Sequence, residues 1–192
     1  ISPAFRPNFE RSPVDYADHA VWQQERLAAA DLGPWMREPF AAEVRFERDG
    51  RSDDRGGYVK RTASFTAEEL RTGPGATSFA TVLAALAVVL RRRCAGDRVG
   101  FGVTMSTREH PAAGDLVGLF LNTVPVAIEV GSAATYESVA VEASAAVAAA
   151  MSIRGVPLAR IVAARRHAGS SAPPVNVLLA FEEWEPCRLG AA

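Results

Sequence analysis

The spacing of apolar residues changes several times along the chain between the helical period and the strand period. Helical spacing predicts helices over residues 13–31, 77–93, 135–151 and 157–167. Alternating apolar residues predict strands over residues 99–105, 124–130 and 175–181, and a further strand is predicted over residues 58–65. The resulting order is α, β, α, β, β, α, α, β, which indicates an α/β domain.

Turn signals divide the chain into two parts. Ser12–Pro13 has the residue types of an N-cap and a first helical position, and Gly33–Pro34 is predicted to end the first helix. Glycines and mixed charges over residues 33–56 predict a solvated connection. We therefore assign residues 1–56 to a linker, a helix and this connection, and residues 57–192 to the main body.

Local capping signals refine the predicted elements. Thr66 and Glu69 have the spacing of a capping box, and Thr135 is placed to cap a helix. Pro157 is predicted to start the next helix. The Gly-x-Gly sequence at 100–102 lies inside a strand pattern, so it predicts a bulge or a close approach to the backbone.

Composition narrows the class of protein. Of the 192 residues, 48% are apolar and 22% are charged, and the formal net charge is −1. These values exclude intrinsic disorder and argue against a nucleic-acid interface, and no apolar run is long enough to span a membrane. Cys94 and Cys187 are far apart, so neither a zinc site nor a disulfide framework is indicated. Residues 1–6 lack the features of a signal peptide, and we expect a soluble, cytoplasmic domain.

Candidate catalytic residues are few and scattered. We expect His19, His110 and His167 to be surface or capping residues, because the sequence around each of them does not suggest a catalytic triad. Cys94 follows an apolar helix and is expected to be a small packed residue. Glu182–Glu183 should face opposite sides of a strand. No pair of histidines or cysteines has metal-ligand spacing, so the residues alone predict no active site and no metal.

Six short segments nevertheless follow one another in a distinctive order. They are DYADHAVWQ at 15–23, GATSFATVLAALAVVL at 75–90, GVTMSTR at 102–108, VGLFLNTVPV at 117–126, PLARIV at 157–162 and PPVNVLLAF at 173–181. They resemble the YxDFAVWQ, GAT-helix, GxPVSGR, VGxFVNTLPVR, QDxPFExLV and SPLFxVLFA segments of nonribosomal peptide synthetase condensation domains. The resemblance extends over residues 12–184, and its most specific match is at 117–126.

The resemblance implies the chloramphenicol acetyltransferase-like fold, in which two lobes meet around a tunnel. It places residues 57–192 in a partial second lobe, with a mixed sheet and flanking helices. In this family an acceptor amine attacks a donor thioester and forms an amide bond. The implied partners are peptidyl or acyl carrier proteins and the first lobe of the same domain. The carriers' phosphopantetheine arm is the implied substrate tether, and this chain is expected to bind no cofactor directly.

The chain also departs from the family pattern. It contains no HHxxxDG motif, whose second histidine is thought to orient or deprotonate the amine, so no residue is assigned a catalytic role. The segment 153–157 lacks the family's His/Asn, Gln and Asp, and the connection over 33–76 is shorter than usual. These departures indicate a truncated second lobe, whether a crystallised fragment, a split polypeptide or a degenerate remnant, which we expect to be inactive alone.

Arg108 is the site-supporting residue that the resemblance implies. The family's arginine at this point pairs with the aspartate of HHxxxDG, so without that aspartate we expect Arg108 to be unpaired on the face of the lobe. Asn122 and Thr123 are expected to satisfy backbone groups where the chain enters a strand, with tunnel lining as the alternative. Asn176 is a weaker candidate for lining the tunnel.

The remaining motif residues are expected to be structural. They are Tyr16, Asp18, Trp22, Gly118 and Pro157. Among them, Asp18 and Trp22 are expected to hold the first helix against the lobe.

Two alternatives stay open. The first is another enzyme of the superfamily: a stand-alone acyltransferase, an epimerisation domain or a cyclisation domain. The second is a non-catalytic module that docks carrier proteins or a neighbouring domain. A lobe that functions alone should have lost apolar residues from the surface that faced its partner, whereas a fragment should expose an apolar patch there.

Overall fold

The computed structural model describes residues 14–28, 30–36, 40–41, 44, 60–66, 68–70, 77–114, 116–170 and 175–182. In these ranges the helices are α1 (Tyr16–Ala28), α2 (Gly33–Met36), α3 (Ser78–Arg91), α4 (Tyr136–Ser152) and α5 (Leu158–His167). The strands are β1 (Arg98–Ser106), β2 (Leu121–Glu129) and β3 (Leu178–Leu179), and a 3₁₀ turn covers Pro111–Ala113.

The described strands form one mixed sheet in the order β2-β1-β3. β1 and β2 are antiparallel along their whole length, with Val103 opposite Val124. β3 is parallel to β1, and the amide of Gly102 donates a hydrogen bond to the carbonyl of Val177 at 2.8 Å. The predicted α/β fold, a mixed sheet with flanking helices, is confirmed.

The hydrophobic core lies between the sheet and the helices. α3 packs against α4 and α4 against β2, while α5 packs against both β2 and α2. Phe101 and Ile128 are fully buried in the centre of this core. Trp35 joins them, and its indole N–H donates to the carbonyl of Pro125 at 3.0 Å, so its polar atom is satisfied. The proposed boundary between residues 56 and 57 stays a prediction.

Threonine caps start the two long helices at the predicted places. The Thr77 side chain accepts a hydrogen bond from the amide of Ala80 at 3.1 Å, and Thr135 accepts one from Ser138 at 3.2 Å. Both bonds satisfy amides that have no partner inside the helix. Pro157, predicted as the first helical residue, is instead the N-cap of α5, because its extended backbone precedes the first turn.

The structure changes the prediction for the segment after α1. α1 ends at Ala28 rather than at residue 31, and Gly33–Pro34 begins α2 instead of ending a helix. Proline suits a first turn because the amide that it lacks would have no helical partner there. The prediction of a solvated connection over residues 33–56 is also wrong for the residues that the structure describes, because Phe40 and Val44 are buried. Their side chains are apolar, so covering the core is more favourable than contact with water. Ser12–Pro13 lies outside the described residues.

Two strand predictions change as well. Residues 60–65 of the predicted strand 58–65 form no strand and are exposed, and residues 58–59 lie outside the described part. A segment forms a strand only where a neighbouring strand supplies hydrogen bonds to its backbone. The last strand contracts from 175–181 to Leu178–Leu179. β1 is buried on both faces over residues 99–103, although its alternation predicted one buried face. Because Gly100 and Gly102 have no side chain, they place no polar group on the second buried face.

Gly102 confirms the predicted close approach. A Cβ atom at this position would lie 2.5 Å from Leu178 Cδ2 and 2.8 Å from Thr123 Cγ2. Side chains from both neighbouring strands therefore fill the space above Gly102. This contact explains why a residue without a side chain stands in the middle of the sheet.

Candidate functional site

The motif segment in α1 contacts the motif segment at 117–126. The segment between β1 and β2, residues 107–114 and 116–120, is called the motif loop below. The hydroxyl of Tyr16 in α1 donates to the carbonyl of Leu119 at 3.1 Å, and its ring lies directly on Gly118, where a Cβ would overlap it. The ring also meets Phe120 edge to face at 5.4 Å between centroids. Tyr16 and Gly118 thus join α1 to the motif loop.

Arg108 is exposed and holds the motif loop through hydrogen bonds to its backbone. Its guanidinium donates to the carbonyls of Ala113, Gly114 (3.2 Å) and Leu116 (3.0 Å). It also stacks over the Phe120 ring at 4.0 Å from the centroid, a cation–π contact. The expectation that Arg108 is unpaired is therefore wrong, because the loop folds its carbonyls around the guanidinium. A role for Arg108 toward an aspartate of another lobe stays a prediction.

Asn122 joins β2 to the connection between α4 and α5. Its amide nitrogen donates to the carbonyls of Arg154 at 2.8 Å and Val156 at 2.6 Å. Its amide oxygen accepts a longer bond from the backbone N–H of Leu158 at 3.3 Å. The side chain thus satisfies three backbone groups, which is the structural role preferred for it, and a direct substrate contact stays untested.

The other predicted tunnel residues lie on neighbouring strands or beside them. Thr123 is half-buried on β2 opposite Thr104, and its methyl group packs over Gly102. Asn176 is exposed just before β3, and its amide donates to the carbonyl of Val44 at 2.7 Å. Tunnel lining by Thr123 and Asn176 stays a prediction.

Asp18 and Trp22 both belong to α1 but make different contacts. Asp18 is exposed and accepts a hydrogen bond from the backbone N–H of Asp15 at 3.0 Å, so it caps the start of its own helix. The Trp22 ring is half-buried and lies 6.0 Å from His110 of the motif loop. The contact that the structure gives for Asp18 is local to the helix, whereas Trp22 reaches across to the loop.

A cavity of about 220 Å³ lies between α1, the motif loop and the connection from α4 to α5. Trp22, Leu27 and Val156 contribute to its apolar wall. Arg26 and Glu109 also line it. This cavity brings together three elements that lie far apart in the sequence.

Glu109 is the most buried acid at this cavity, with 11% of its side chain exposed. Its Oε2 atom lies 2.9 Å from Arg26 Nη1, and its Oε1 atom lies 3.9 Å from Arg154 Nε. The Arg26 guanidinium is also 5.2 Å from the centre of the Trp22 ring. Sequence reasoning missed these ion pairs, because no local pattern links residues on a helix, a loop and an interhelical connection.

The three histidines have different surroundings. His19 is buried rather than on the surface, and its ring lies 4.7 Å from that of Phe120. Its position corresponds to the phenylalanine of YxDFAVWQ, which is the signal that predicts a buried ring. His110 is a capping residue as predicted, since its Nδ1 atom accepts from the amide of Ala112 at 3.1 Å. His167 is exposed at the end of α5.

The remaining nucleophile and acid candidates do not form a centre. Cys94 is half-buried beside Val44, and burial raises the pKa of its thiol, although Arg91 opposes the shift. Glu182 is exposed, and Glu183 and Cys187 lie outside the described residues. Within the described ranges, no group of three His, Cys, Asp or Glu side chains could hold a metal ion. No helix there is both long and apolar enough to cross a bilayer.

The outer face of the motif loop is apolar and exposed. Val117 is 87% exposed, Leu119 72% and Leu121, at the start of β2, 60%. These three residues, called the apolar rim below, lie beside the Tyr16 contact described above. Such a concentration of exposed aliphatic side chains is typical of a surface that another protein surface covers.

Known proteins share sequence with this chain. A family model described as Condensation domain matches residues 58–185. The chain is 29% identical to phosphinothricin tripeptide synthetase PhsB of Streptomyces viridochromogenes, over 95% of this chain and 16% of that protein. It is 26% identical to the dimodular nonribosomal peptide synthase of Bacillus subtilis, over 95% of this chain and 9% of that protein. The chain thus spans a small part of these relatives.

Solved structures show the same fold. The X-domain from teicoplanin biosynthesis superposes with a TM-score of 0.57 at 22% identity, covering 92% of this chain and 43% of that one. The same type of domain in a complex with OxyB gives a TM-score of 0.57 at 21% identity, over 81% of this chain and 38% of the other.

Proposed function

This chain belongs to the condensation-domain family of nonribosomal peptide synthetases, and from this premise we propose that it forms the second lobe of an amide-forming condensation site. The contact that supports this proposal most directly is Tyr16 on Gly118 and Leu119, because it joins two family motifs into one surface. We assign residues 57–192 to the body of the lobe, with Trp35 and Val44 buried in the same core, and α1 to the motif surface.

The proposed reaction joins two thioesters held by carrier proteins. The amine of the acceptor attacks the carbonyl carbon of the donor thioester, a C–N bond forms, and the phosphopantetheine thiol leaves. The second histidine of HHxxxDG, a motif that this sequence does not contain, orients the amine or takes its proton. Arg108 supports that motif by pairing with its aspartate, and Asn122, Thr123 and Asn176 belong to the tunnel side of the lobe.

The apolar rim is the proposed contact for the lobe that carries HHxxxDG. Val117 and Leu119 are largely exposed, and covering them would remove apolar surface from water. Arg108 lies in the same motif loop, so a lobe that docks there would come close to it.

The proposal is tested by combining this chain with a polypeptide that carries HHxxxDG. Each is incubated alone and together with two loaded carrier proteins, and the carriers' intact masses report transfer of the acyl group. We expect transfer only when both polypeptides are present. Transfer by this chain alone would contradict the proposal, and so would a pair that associates but never transfers.

A matched pair of variants tests the docking surface in that experiment. Leu119→Asp places a charge on the apolar rim and should abolish both association and transfer. Val141→Asp changes an equally exposed valine on α4, which is 70% exposed, and should leave both unchanged. Equal effects of the two variants would show that the apolar rim is not the docking surface.

A non-catalytic docking module is the second candidate. One X-domain with this fold was solved in a complex with another protein, OxyB. If this chain works in that way, it should bind a carrier protein or a neighbouring domain tightly without any HHxxxDG polypeptide, and transfer should be absent in every combination.

A further inference from the structure

We propose that the cavity between α1, the motif loop and the α4–α5 connection binds a small organic cation, a guanidinium or an ammonium group on a short apolar stem. Glu109 and Trp22 recognise the cation, and the side chain of Arg26 occupies their site when no ligand is bound. This inference does not depend on amide formation and assigns the chain a second binding site.

The position of Arg26 shows what kind of group the site accepts. Its guanidinium lies 2.9 Å from the Glu109 carboxylate and 5.2 Å from the centre of the Trp22 ring. A carboxylate on one side and an aromatic face on the other are the two groups that bind organic cations in proteins. The chain therefore already holds a guanidinium in the proposed binding mode.

The burial of the two partners makes displacement of Arg26 possible. The Glu109 side chain is 11% exposed, whereas that of Arg26 is 57% exposed. Glu109 is fixed in the wall of the cavity, and Arg26 reaches it from the outer side of α1. A ligand cation can therefore replace the Arg26 guanidinium while the arginine moves into water.

The charge and size of the cavity set the class of ligand. Its charged lining side chains among the described residues are Asp31, Glu109 and Arg26, two acids and one base. Arg154 lies 3.9 Å from Glu109 but does not line the cavity. When Arg26 leaves, the remaining lining is anionic. The volume of about 220 Å³ is below the range of drug-sized sites, so the ligand is small.

Much of the remaining lining of the cavity is apolar. This apolar wall consists of Leu27, Ala30, Ile153 and Val156 together with the ring of Trp22. A hydrated inorganic cation would gain nothing from this wall, whereas an alkyl or aryl stem would be removed from water there. The combination selects an amphipathic cation rather than a metal ion.

The test uses Arg26→Ala, which empties the arginine position, and two probes of the same shape. Butylguanidinium carries the charge, and butylurea is its neutral counterpart. We expect Arg26→Ala to bind butylguanidinium about tenfold more tightly than butylurea, as measured by the NMR shift of the Trp22 indole N–H. The Trp35 indole, whose hydrogen bond to Pro125 lies in the core, should not shift.

Two further variants separate the site from general charge effects. Glu109→Gln in the Arg26→Ala background should remove the preference for butylguanidinium. Arg92→Ala changes an exposed arginine at the end of α3 and should bind like the unmodified chain. Equal binding of the two probes to Arg26→Ala, or no Trp22 shift, would overturn the proposal and leave Arg26 as a structural clamp.

The unmodified chain provides a test that does not depend on a variant's stability. There the same shift of Trp22 should be saturable but require more butylguanidinium, because the ligand competes with Arg26. Butylurea should shift the indole signal less than butylguanidinium at the same concentration. If Arg26→Ala does not fold and the unmodified chain shows no saturable shift, the proposal is overturned.

Discussion

The sheet core and the motif loop are held together by different interactions. β1 is buried from Val99 to Val103, and its side chains meet other apolar side chains from β2 and the helices. The motif loop is held by directional contacts: the guanidinium of Arg108 on loop carbonyls and the ring of Tyr16 on Gly118. Apolar packing tolerates many residue types of similar size, whereas these loop contacts require one particular side chain.

The difference explains why the two regions have different sequence signatures. The core appears in the sequence as periodicity, which many sequences share. The loop appears as a motif, because a change at Arg108 or Gly118 has no equivalent substitute. The most specific family match, at 117–126, therefore lies where the contacts depend on particular residues.

The largest effect that we expect is a decrease in stability when a buried side chain is removed from the core. Phe101→Ala removes a fully buried ring from the centre of β1 and should lower the free energy of unfolding by about 3–5 kcal/mol. Urea unfolding followed by circular dichroism measures this loss. Val89→Ala, at a position 63% exposed on α3, is the control and should change stability by less than about 0.5 kcal/mol. Similar losses for both would contradict the assignment of Phe101 to the core.

A smaller loss is expected where β2 holds the α4–α5 connection. Asn122→Ala leaves the carbonyls of Arg154 and Val156 without their donor and should lower the free energy of unfolding by about 1–3 kcal/mol. Hydrogen exchange at Leu158 should accelerate, because its amide loses the Asn122 oxygen. Asn176→Ala, which removes one bond to Val44, should leave exchange at Leu158 unchanged.

The contact between α1 and the motif loop gives a test of coupling. Gly118→Ala inserts a methyl group against the Tyr16 ring and should lower stability by about 1–3 kcal/mol. In a Tyr16→Ala background the same change should have much less effect, because the ring that it strikes is absent. A double-mutant cycle in urea measures the coupling. Additive effects would mean that the loop adjusts to the methyl group without pressing on Tyr16.

The smallest effect concerns pH and lies outside both regions. The amide of Thr66 and then its hydroxyl hold the pKa of the Glu69 carboxyl below its ordinary value of 4.5. The ionised carboxylate therefore stabilises the capping box fully at pH values above 4.5. This contribution is lost as the pH falls through the lowered pKa. A carbon-13 titration of the Glu69 carboxyl should show a midpoint below 4.5. Thr66→Val should raise the midpoint only in part, since the backbone bond remains.

The sequence alone predicts the elements whose signals are local. The Thr77 and Thr135 caps and the Thr66–Glu69 capping box stand where it places them. These interactions join residues three positions apart, so the chain near each of them contains all the information that is needed. The order of the six motifs predicts the family in the same way, because it is a property of the sequence itself.

Only the tertiary structure decides what distant segments do to one another. It buries Phe40 and Val44, leaves residues 60–65 without a strand and encloses β1 on both faces. Burial and strand pairing depend on which surfaces meet, and no local pattern records that. The same holds for Glu109, whose two arginine partners come from α1 and from the α4–α5 connection. The family was determined by the sequence, and the cavity was determined by the fold.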